Sequence, residues 1–439
     1  MILPEITEQE ALDNLHKIDH IVVLMLENRS FDHMLGYLSL EANRTDIEGL
    51  RSNMKNTYNG KDYAVHRLSS PRFPSGEDPC HEGQCVAEQI TNDNGGFVEN
   101  FAHTFPKAPD PGIVMGYYFA DALPVYDQFA SDFVVCDHWF ASVPGQTWPN
   151  RLYAVAGRCD GLKENLTPPI YNIPSFPRKL DEARVSWKWY SHDITTLRLT
   201  DDNYFTGHND KIRDWTDFLS DASSGNLASV TWIDPLFAIF GGESHDDHPP
   251  STIEAGQTLA FRVYAALANS PQWDKTMLLV VYDEHGGIFD HVPPVKLEDD
   301  NQDFRLSGLR VPAMVVSPWV EPAGVSKIQF DHTSIIKTIF MRFCRDEAGR
   351  IPPFGVRTAS ANHLGHVLTR TSARPAPNIQ FFNHLAMDLA NRAQNEIVSD
   401  FITHAVGAVP SIQPKNELQL GLLRAQEEIV RKGHPLGTP

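Results

Sequence analysis

The chain contains an apolar run of strand length that ends abruptly in polar side chains. Residues 21–26, with the sequence Ile-Val-Val-Leu-Met-Leu, form an unbroken hydrophobic segment that includes three β-branched residues. Such a run predicts a strand buried on both faces, which is the usual condition of a strand in a parallel sheet. Glu27 and Asn28 follow at once. A carboxylate beside a carboxamide at the end of a rigid strand offers the oxygen ligands that a hard divalent cation prefers, although a lone pair of this kind also fits a plain polar turn.

Further apolar segments predict five more strands, with helix-compatible stretches, such as residues 252–270, between most of them. The segments are Phe133–Cys136, Val185–Tyr190, Ala228–Ile233, Met277–Tyr282 and Val311–Val316. Buried strands separated by helices imply right-handed crossovers. We therefore predict an α/β fold with a doubly wound, mostly parallel central sheet and helices on both faces. In such sheets the ligand crevice lies at the carboxyl ends of the strands.

Several predicted strands end in acidic residues, histidine or both, as the first one ends in Glu27-Asn28. These ends are Asp137-His138, His192-Asp193, Asp234 and Asp283-Glu284. Grouped carboxylates repel one another unless a cation or protons compensate them, so the pattern indicates a metal site. A ligand set made only of oxygen atoms allows Mg²⁺, Ca²⁺ or Mn²⁺, whereas a set that also includes histidine would suit Zn²⁺.

A candidate nucleophile lies in the segment Ser142–Arg151. Gly145 permits a tight turn, Thr147 is a good helix N-cap and Pro149 fits the first turn of a helix that Gly157 can end. The pattern predicts a hydroxyl at a helix N-terminus, where free N–H groups and the helix dipole favour a phosphate. The same residues would also serve a simple capping role.

Composition excludes some classes of partner. The formal net charge of -19 argues against a nucleic-acid-binding surface and against simple electrostatic docking on anionic membranes. No apolar run approaches the roughly 20 residues that a membrane span requires. No Sec or twin-arginine signal is visible in the acidic N-terminus, so we expect a cytoplasmic protein, export by a route that reads no such signal, or prior cleavage of a leader. The oligomeric state is not predicted.

The five cysteines are Cys80, Cys85, Cys136, Cys159 and Cys344. Cys80 and Cys85 could pair, but we expect scattered buried thiols. We assign residues 1–345 to one catalytic domain with a loop-rich excursion at 40–110. Residues 346–439 then form a C-terminal loop and helical segment, packed on the same domain, with helices around 380–405 and 415–432.

Three long motifs resemble the bacterial phosphoesterase family of phospholipases C and acid phosphatase A, which is related in fold to alkaline phosphatases. They are Glu27 to His33, Ser142 to Arg151, and Asp283 to Val292, and the resemblance covers residues 18–345. The Thr-x-Pro-Asn-Arg form, with Met115-Gly116-Tyr117-Tyr118 upstream, looks closer to the phosphatidylcholine-preferring phospholipase C branch.

The resemblance implies one divalent cation held by Glu27, Asn28, Asp283 and Glu284, with Thr147 as both fifth ligand and nucleophile. We favour Zn²⁺, with Ca²⁺, Mg²⁺ and Mn²⁺ as alternatives. The implied reaction passes through a phosphothreonine intermediate, because metal coordination activates an otherwise poor hydroxyl nucleophile.

The resemblance also suggests roles for further polar residues. His81 and His248 are similar to the family's phosphate-contacting histidines. His291, His332 and Asp234 match site positions too, but they could orient the carboxylates instead.

The resulting hypothesis is a metal-dependent phospholipase C acting on phosphatidylcholine-like lipids at a membrane surface or micelle. One alternative is a broad-specificity acid phosphatase or phosphomonoesterase of the same family. Another is a non-catalytic, metal-stabilised binding protein that has kept the fold.

Overall fold

A central sheet of eight strands organises the part of the chain that the structure describes. The structure is a computed structural model, and it describes residues 1–73, 77–206, 210–239, 243–377, 387, 391 and 416–431. The strands are β1 His20–Leu26, β2 Lys55–Tyr58, β3 Lys61–Ala64, β4 His66–Arg67, β5 Gly116–Tyr117, β6 Val134–Cys136, β7 Trp139–Phe140, β8 Trp187–Ser191, β9 Ile212–Asp214, β10 Val230–Ile233, β11 Thr276–Tyr282, β12 Ala313–Val316, β13 Gly324–Ser326 and β14 Phe330–Asp331.

Helices connect and cover these strands. They are α1 Glu8–Leu15, α2 Phe31–Leu35, α3 Tyr37–Leu40, α4 Gly83–Gln89, α5 Thr91–Asn94, α6 Phe97–Thr104, α7 Pro124–Asp132, α8 Thr147–Ala156, α9 Pro177–Glu182, α10 Thr196–Phe205, α11 Trp215–Ser224, α12 Ile253–Ala268, α13 Thr333–Phe343 and α14 Gly355–Ser360. A further helix, Glu417–Arg431, is called the C-terminal helix below. Short 3₁₀ turns occupy Pro111–Met115, Trp273–Lys275, Gln302–Phe304 and Leu364–Val367.

The strand order in the large sheet is β13-β6-β12-β11-β1-β10-β8-β9. β12 runs antiparallel to both of its neighbours, and the other pairs are parallel. β1 lies between β10 and β11, and residues 21–26 are at most 1% exposed. Because successive side chains of a strand point to opposite faces, this burial requires cover on both faces. Helices α7, α11 and α12 pack in one group, and α1, α8, α10 and α13 pack in another.

The predicted fold class is therefore confirmed, and each of the six predicted strands is present, three of them starting two residues late. The predicted helix at 252–270 is α12, and the predicted helix around 415–432 is the C-terminal helix. The predicted helix around 380–405 lies outside the described residues. The excursion at 40–110 contains three short strands and α4 to α6. Among the described residues, no helix is long and apolar enough to cross a membrane.

The expectation of scattered cysteine thiols was wrong for two of the five. Cys80 and Cys85 form a disulfide at the start of α4, where their Cα atoms lie 5.9 Å apart, within the range that a disulfide can bridge. Cys136, Cys159 and Cys344 are buried free thiols, as expected.

A buried arginine joins the loops that leave β1 and β11. The guanidinium of Arg310 is fully buried and donates to Asp290 Oδ1 (2.9 Å) and to Asp32 Oδ1 (3.1 Å). It also donates to the carbonyl oxygen of Asp137 (3.0 Å). The two carboxylates follow the strands whose ends carry Glu27 and Asp283, so Arg310 holds these loops against each other.

We expect Arg310→Ala to lower the free energy of unfolding by about 3–5 kcal/mol, because it leaves the buried Asp290 carboxylate without its counter-ion and Asp32 with His291 alone. Urea unfolding followed by circular dichroism measures the change. Arg350→Ala is the control, since Arg350 pairs with Asp346 at the surface with 78% of its side chain exposed, and we expect a change below about 0.5 kcal/mol. Equal effects of the two substitutions would contradict the assigned role of Arg310.

Candidate active site

The ends of β1 and β11 bring four predicted metal ligands together. The two strands are parallel neighbours in register, with Leu26 paired to Tyr282, so Glu27-Asn28 and Asp283-Glu284 leave the sheet side by side. All four side chains are fully buried. Asn28 adopts a left-handed backbone conformation (φ 56°), one that asparagine tolerates better than most residues.

Backbone amides fix one oxygen of each of the two carboxylates that follow β11 and leave the other oxygen free. Asp283 Oδ1 accepts from the N–H groups of Asn28 (2.9 Å) and Glu284 (2.7 Å). Glu284 Oε2 accepts from the N–H of Gly286 (2.8 Å). Asp283 Oδ2 and Glu284 Oε1 are buried and have no hydrogen-bond partner. Buried, unpartnered carboxylate oxygens at such a point need a cation or a proton.

Helix α8 places the candidate nucleophile against this cluster. Thr147 is fully buried, and its Oγ1 lies 3.3 Å from Glu27 Oε2 and 3.4 Å from Asn28 Oδ1. The predicted N-cap was wrong by one residue, because Gln146 is the N-cap and Thr147 is the first helical residue. The helix ends at Gly157, which has a left-handed backbone conformation. The hydroxyl therefore points into the site rather than back onto its own helix.

Arg151, one turn further along α8, fixes the orientation of Glu27. Its Nε donates to Glu27 Oε1 (2.7 Å), and its terminal nitrogen donates to the carbonyl oxygen of Met25 (3.1 Å). One oxygen of Glu27 is thereby engaged, while Oε2 faces Thr147.

The electrostatics of the site favour a bound cation. Burial raises the pKa of Glu27 well above its ordinary value despite the neighbouring Arg151, and the charge of Asp283 adds to the shift. Burial also raises the pKa of Glu284 to about 8, although the charge of His81 opposes it. A divalent cation would offset the negative charge of these carboxylates, which protons must otherwise neutralise. The residues present thus fit a hard metal ion bound by oxygen.

His81 and His248 lie beside the ligand cluster. Their Nε2 atoms are 3.3 Å and 3.4 Å from Asn28 Nδ2, and both side chains are buried. His81 Nδ1 donates to the carbonyl oxygen of Pro79 (2.8 Å), and His248 Nε2 lies 2.9 Å from Asp78 Oδ2. Burial alone would lower the pKa of both histidines, but Glu284 and Glu417 raise that of His81, and Asp78 raises that of His248.

Three other predicted site residues do not contact Thr147 directly. His332 Nε2 donates to the carbonyl oxygen of Asp283 (2.5 Å), so it supports a ligand from behind. Asp234 uses both oxygens to accept from Trp189 and from Thr196. His291 pairs with Asp32 (2.6 Å), next to Arg310.

Within the described ranges, two further clusters have the residue types of a metal site, but their hydrogen bonds argue against metal binding. In the cluster of Asp32, Asp290 and His291, the Arg310 guanidinium is already the counter-ion of both carboxylates. In the cluster of Glu8, His363 and His366, His363 Nδ1 accepts from the N–H of Gly365 (3.1 Å). A neutral His363 ring then carries its proton on Nε2, which donates to Glu8 instead of binding a metal.

Some residues at the site gave no signal at the level of sequence. Asp78, Gln146, Asn165 and Glu417 lie around His81 and His248, and each makes a hydrogen bond within this group. Gln146 lies inside the motif Ser142 to Arg151, and Asp78 lies three residues before His81, so proximity along the chain could have found both. Glu417 lies 336 residues from His81, and no local pattern marks it.

We expect Gly286→Ala to disrupt the site. Gly286 has φ +66°, and a Cβ there would lie 2.1 Å from the carbonyl oxygen of Asn28, so both strain and a clash with backbone result. The free energy of unfolding should fall by about 3 kcal/mol or more. The control is Gly60→Ala, which has a similar φ of +74° but no atom within 4 Å of the new Cβ, and should cost only about 1 kcal/mol. Thermal unfolding of both variants checks this, and similar losses would contradict the role of the Gly286–Asn28 contact.

Comparisons with known proteins agree with the motifs. The model of the family described as the Phosphoesterase family matches residues 18–344. Non-specific phospholipase C3 of Arabidopsis thaliana is 31% identical over 433 residues, covering 88% of this chain and 80% of the plant protein. Non-specific phospholipase C5 of the same plant is 33% identical, covering 88% of this chain and 81% of the relative. Phospholipase C B of Mycobacterium tuberculosis is 29% identical, covering 75% of this chain and 74% of the relative.

Among solved structures, the lipoteichoic acid synthase LtaP from Listeria monocytogenes aligns with a TM-score of 0.40 at 10% identity, covering 89% of this chain and 98% of the other. A protein in the alkaline phosphatase superfamily from Vibrio parahaemolyticus aligns with a TM-score of 0.38 at 10% identity, covering 77% and 76%. On the family match and the curated relatives, the chain belongs to the phosphoesterase family and is a hydrolase acting on phosphoric ester bonds.

Proposed function

We propose that the protein is a metal-dependent phospholipase C that hydrolyses phosphatidylcholine-like phospholipids to diacylglycerol and phosphocholine. The main support is the position of Thr147 Oγ1, a buried hydroxyl 3.3 Å from Glu27 Oε2 and next to the amide oxygen of Asn28. Relatives that match 75–88% of the chain carry the name phospholipase C, which also favours this activity. The lipid would be taken from a membrane surface or a micelle.

The oxygens of Glu27, Asn28, Asp283, Glu284 and Thr147 are the groups that would hold one divalent cation. Such a cation would lower the pKa of the hydroxyl and offset charge on the phosphoryl oxygens. By ligand type these oxygens suit Ca²⁺, Mg²⁺ and Mn²⁺ best, and Zn²⁺, the ion favoured from the sequence, also binds carboxylate oxygen.

In the first step, Thr147 Oγ1 forms a bond to phosphorus while the bond from phosphorus to the glycerol oxygen breaks. The hydroxyl proton passes to bulk water, because Glu27 Oε2, the nearest carboxylate oxygen, is among those that would hold the cation. An imidazolium Nε2–H of His81 or His248 gives a proton to the departing glycerol oxygen, so that diacylglycerol leaves as a neutral alcohol. The phosphothreonine ester that remains still carries choline.

In the second step, water attacks phosphorus from the side that the diacylglycerol has left. The histidine that lost its proton accepts one from this water, and the bond from phosphorus to Thr147 Oγ1 breaks. The hydroxyl regains its proton and phosphocholine departs, which restores the starting state.

We expect Thr147→Ala to lower kcat on a phosphatidylcholine micelle by about 10³-fold or more, because no other hydroxyl replaces the nucleophile. Bound metal should persist, since the other four ligands remain. The control is Thr57→Ala, a substitution of an exposed threonine on β2, which should leave kcat unchanged. Turnover that survives Thr147→Ala would defeat the nucleophile assignment. If the protein released phosphate from monoesters faster than phosphocholine from lipid, its main activity would be that of a phosphomonoesterase and not of a phospholipase C.

A further inference from the structure

The C-terminal helix brings a carboxylate to the rim of the active site. Glu417 is its first residue, and Glu417 Oε1 lies 3.3 Å from His81 Nε2. The same carboxylate accepts from Gln146 Nε2 (2.9 Å) and from Asn165 Nδ2 (3.1 Å). Gln146 directly precedes the nucleophile Thr147, so Glu417 lies next to the position that a reacting phosphoryl group must take.

Apolar packing fixes this position. The C-terminal helix buries one face, formed by Leu418, Leu422, Ala425 and Ile429, in a cluster with Trp148 and Phe237. Trp148 follows Thr147 on α8, so the helix packs on the element that carries the nucleophile. Gln419 Nε2 also donates to the carbonyl oxygen of Phe237 (2.9 Å). The carboxylate of Glu417 is therefore held by a packed helix, although its side chain remains 41% exposed.

Glu417 carries a negative charge in this setting. Its side chain is 41% exposed and accepts from the amide groups of Gln146 and Asn165, so the carboxyl group is ionised at neutral pH. Burial by itself raises the pKa of Glu417, but the hydrogen bond from His81 lowers it below its ordinary value. The Glu417 carboxylate thus places one negative charge on the side of the site where the proposed mechanism places the phosphoryl group.

We propose that Glu417 determines specificity by charge, and that it selects phosphodiesters against phosphomonoesters. This inference rests on the proposed function, in which His81 contacts the phosphoryl group. A phosphodiester has a single negative charge at neutral pH, whereas a monoester has nearly two, because its second pKa is about 6. A carboxylate held against His81 repels the second charge, and one unit of charge about 4 Å away changes affinity on the order of tenfold or more.

The test compares Glu417→Gln with the wild-type protein on three substrates that share one leaving group. These are p-nitrophenyl phosphate, methyl p-nitrophenyl phosphate and p-nitrophenyl phosphorylcholine. Glutamine keeps the shape and an acceptor for Gln146 and Asn165 but removes the charge. The control is Glu427→Gln, an exposed position on the same helix, for which no change is expected.

We expect Glu417→Gln to raise kcat/KM for the monoester about tenfold or more relative to both diesters. Inorganic phosphate, measured by calorimetry, should bind the variant more tightly than the wild type by a similar factor, which gives a readout independent of turnover.

Other outcomes overturn the inference. An equal rise on all three substrates would mean that Glu417 only obstructs the site, and an equal fall would mean a structural role. A fall confined to the phosphorylcholine substrate would mean that Glu417 binds the head-group cation. Wild-type protein inactive on all three substrates would defeat the proposed function itself, and this inference with it.

Discussion

The parallel pairing of β1 with β11 is the constraint on which the site depends. It sets Glu27-Asn28 beside Asp283-Glu284 at one edge of a buried sheet, and it fixes their register through the pair Leu26 and Tyr282. Burial on both faces makes the two strands rigid, but it also removes water from the carboxylates at their ends. The same arrangement that aligns the ligands therefore creates their need for a counter-ion.

Several groups around the four ligands hold them in place. Backbone amides and Arg151 each engage one oxygen of a carboxylate and leave the other free to face the site. His332 supports the backbone of Asp283, and Arg310 ties together the loops that follow the strands. Contacts of this kind, made by groups that do not bind the metal themselves, hold the ligands in the orientation that metal binding needs. The C-terminal helix adds the only described contribution from beyond residue 400, the carboxylate of Glu417.

The sequence correctly predicted those features in which a local pattern of apolar and polar residues matches the burial of the same residues in the fold. The apolar runs predicted the strands of the central sheet. The polar residues directly after two of these runs, Glu27-Asn28 and Asp283-Glu284, were the predicted metal ligands. Prediction was weaker wherever a contact joins distant segments: the pairing of Glu417 with His81 and the placement of Arg310 depend on tertiary packing alone. The motif position of His291 left two roles open, and the pairing of its ring with Asp32 fits the role of orienting a carboxylate. The Cys80–Cys85 bridge was missed because spacing alone does not set the separation of two Cα atoms.

Metal content tests the central claim most directly. Samples of purified protein, each dialysed against Zn²⁺, Ca²⁺, Mg²⁺ or Mn²⁺ and then against buffer without metal, would be analysed by inductively coupled plasma mass spectrometry. Asp283→Asn would be compared with Asp303→Asn, a control at an exposed position. The account predicts one bound ion per chain in the wild type and in the control, and a large loss in Asp283→Asn. Wild-type protein that binds no Zn²⁺, Ca²⁺, Mg²⁺ or Mn²⁺, or an Asp283→Asn variant that retains the full metal content, would contradict it.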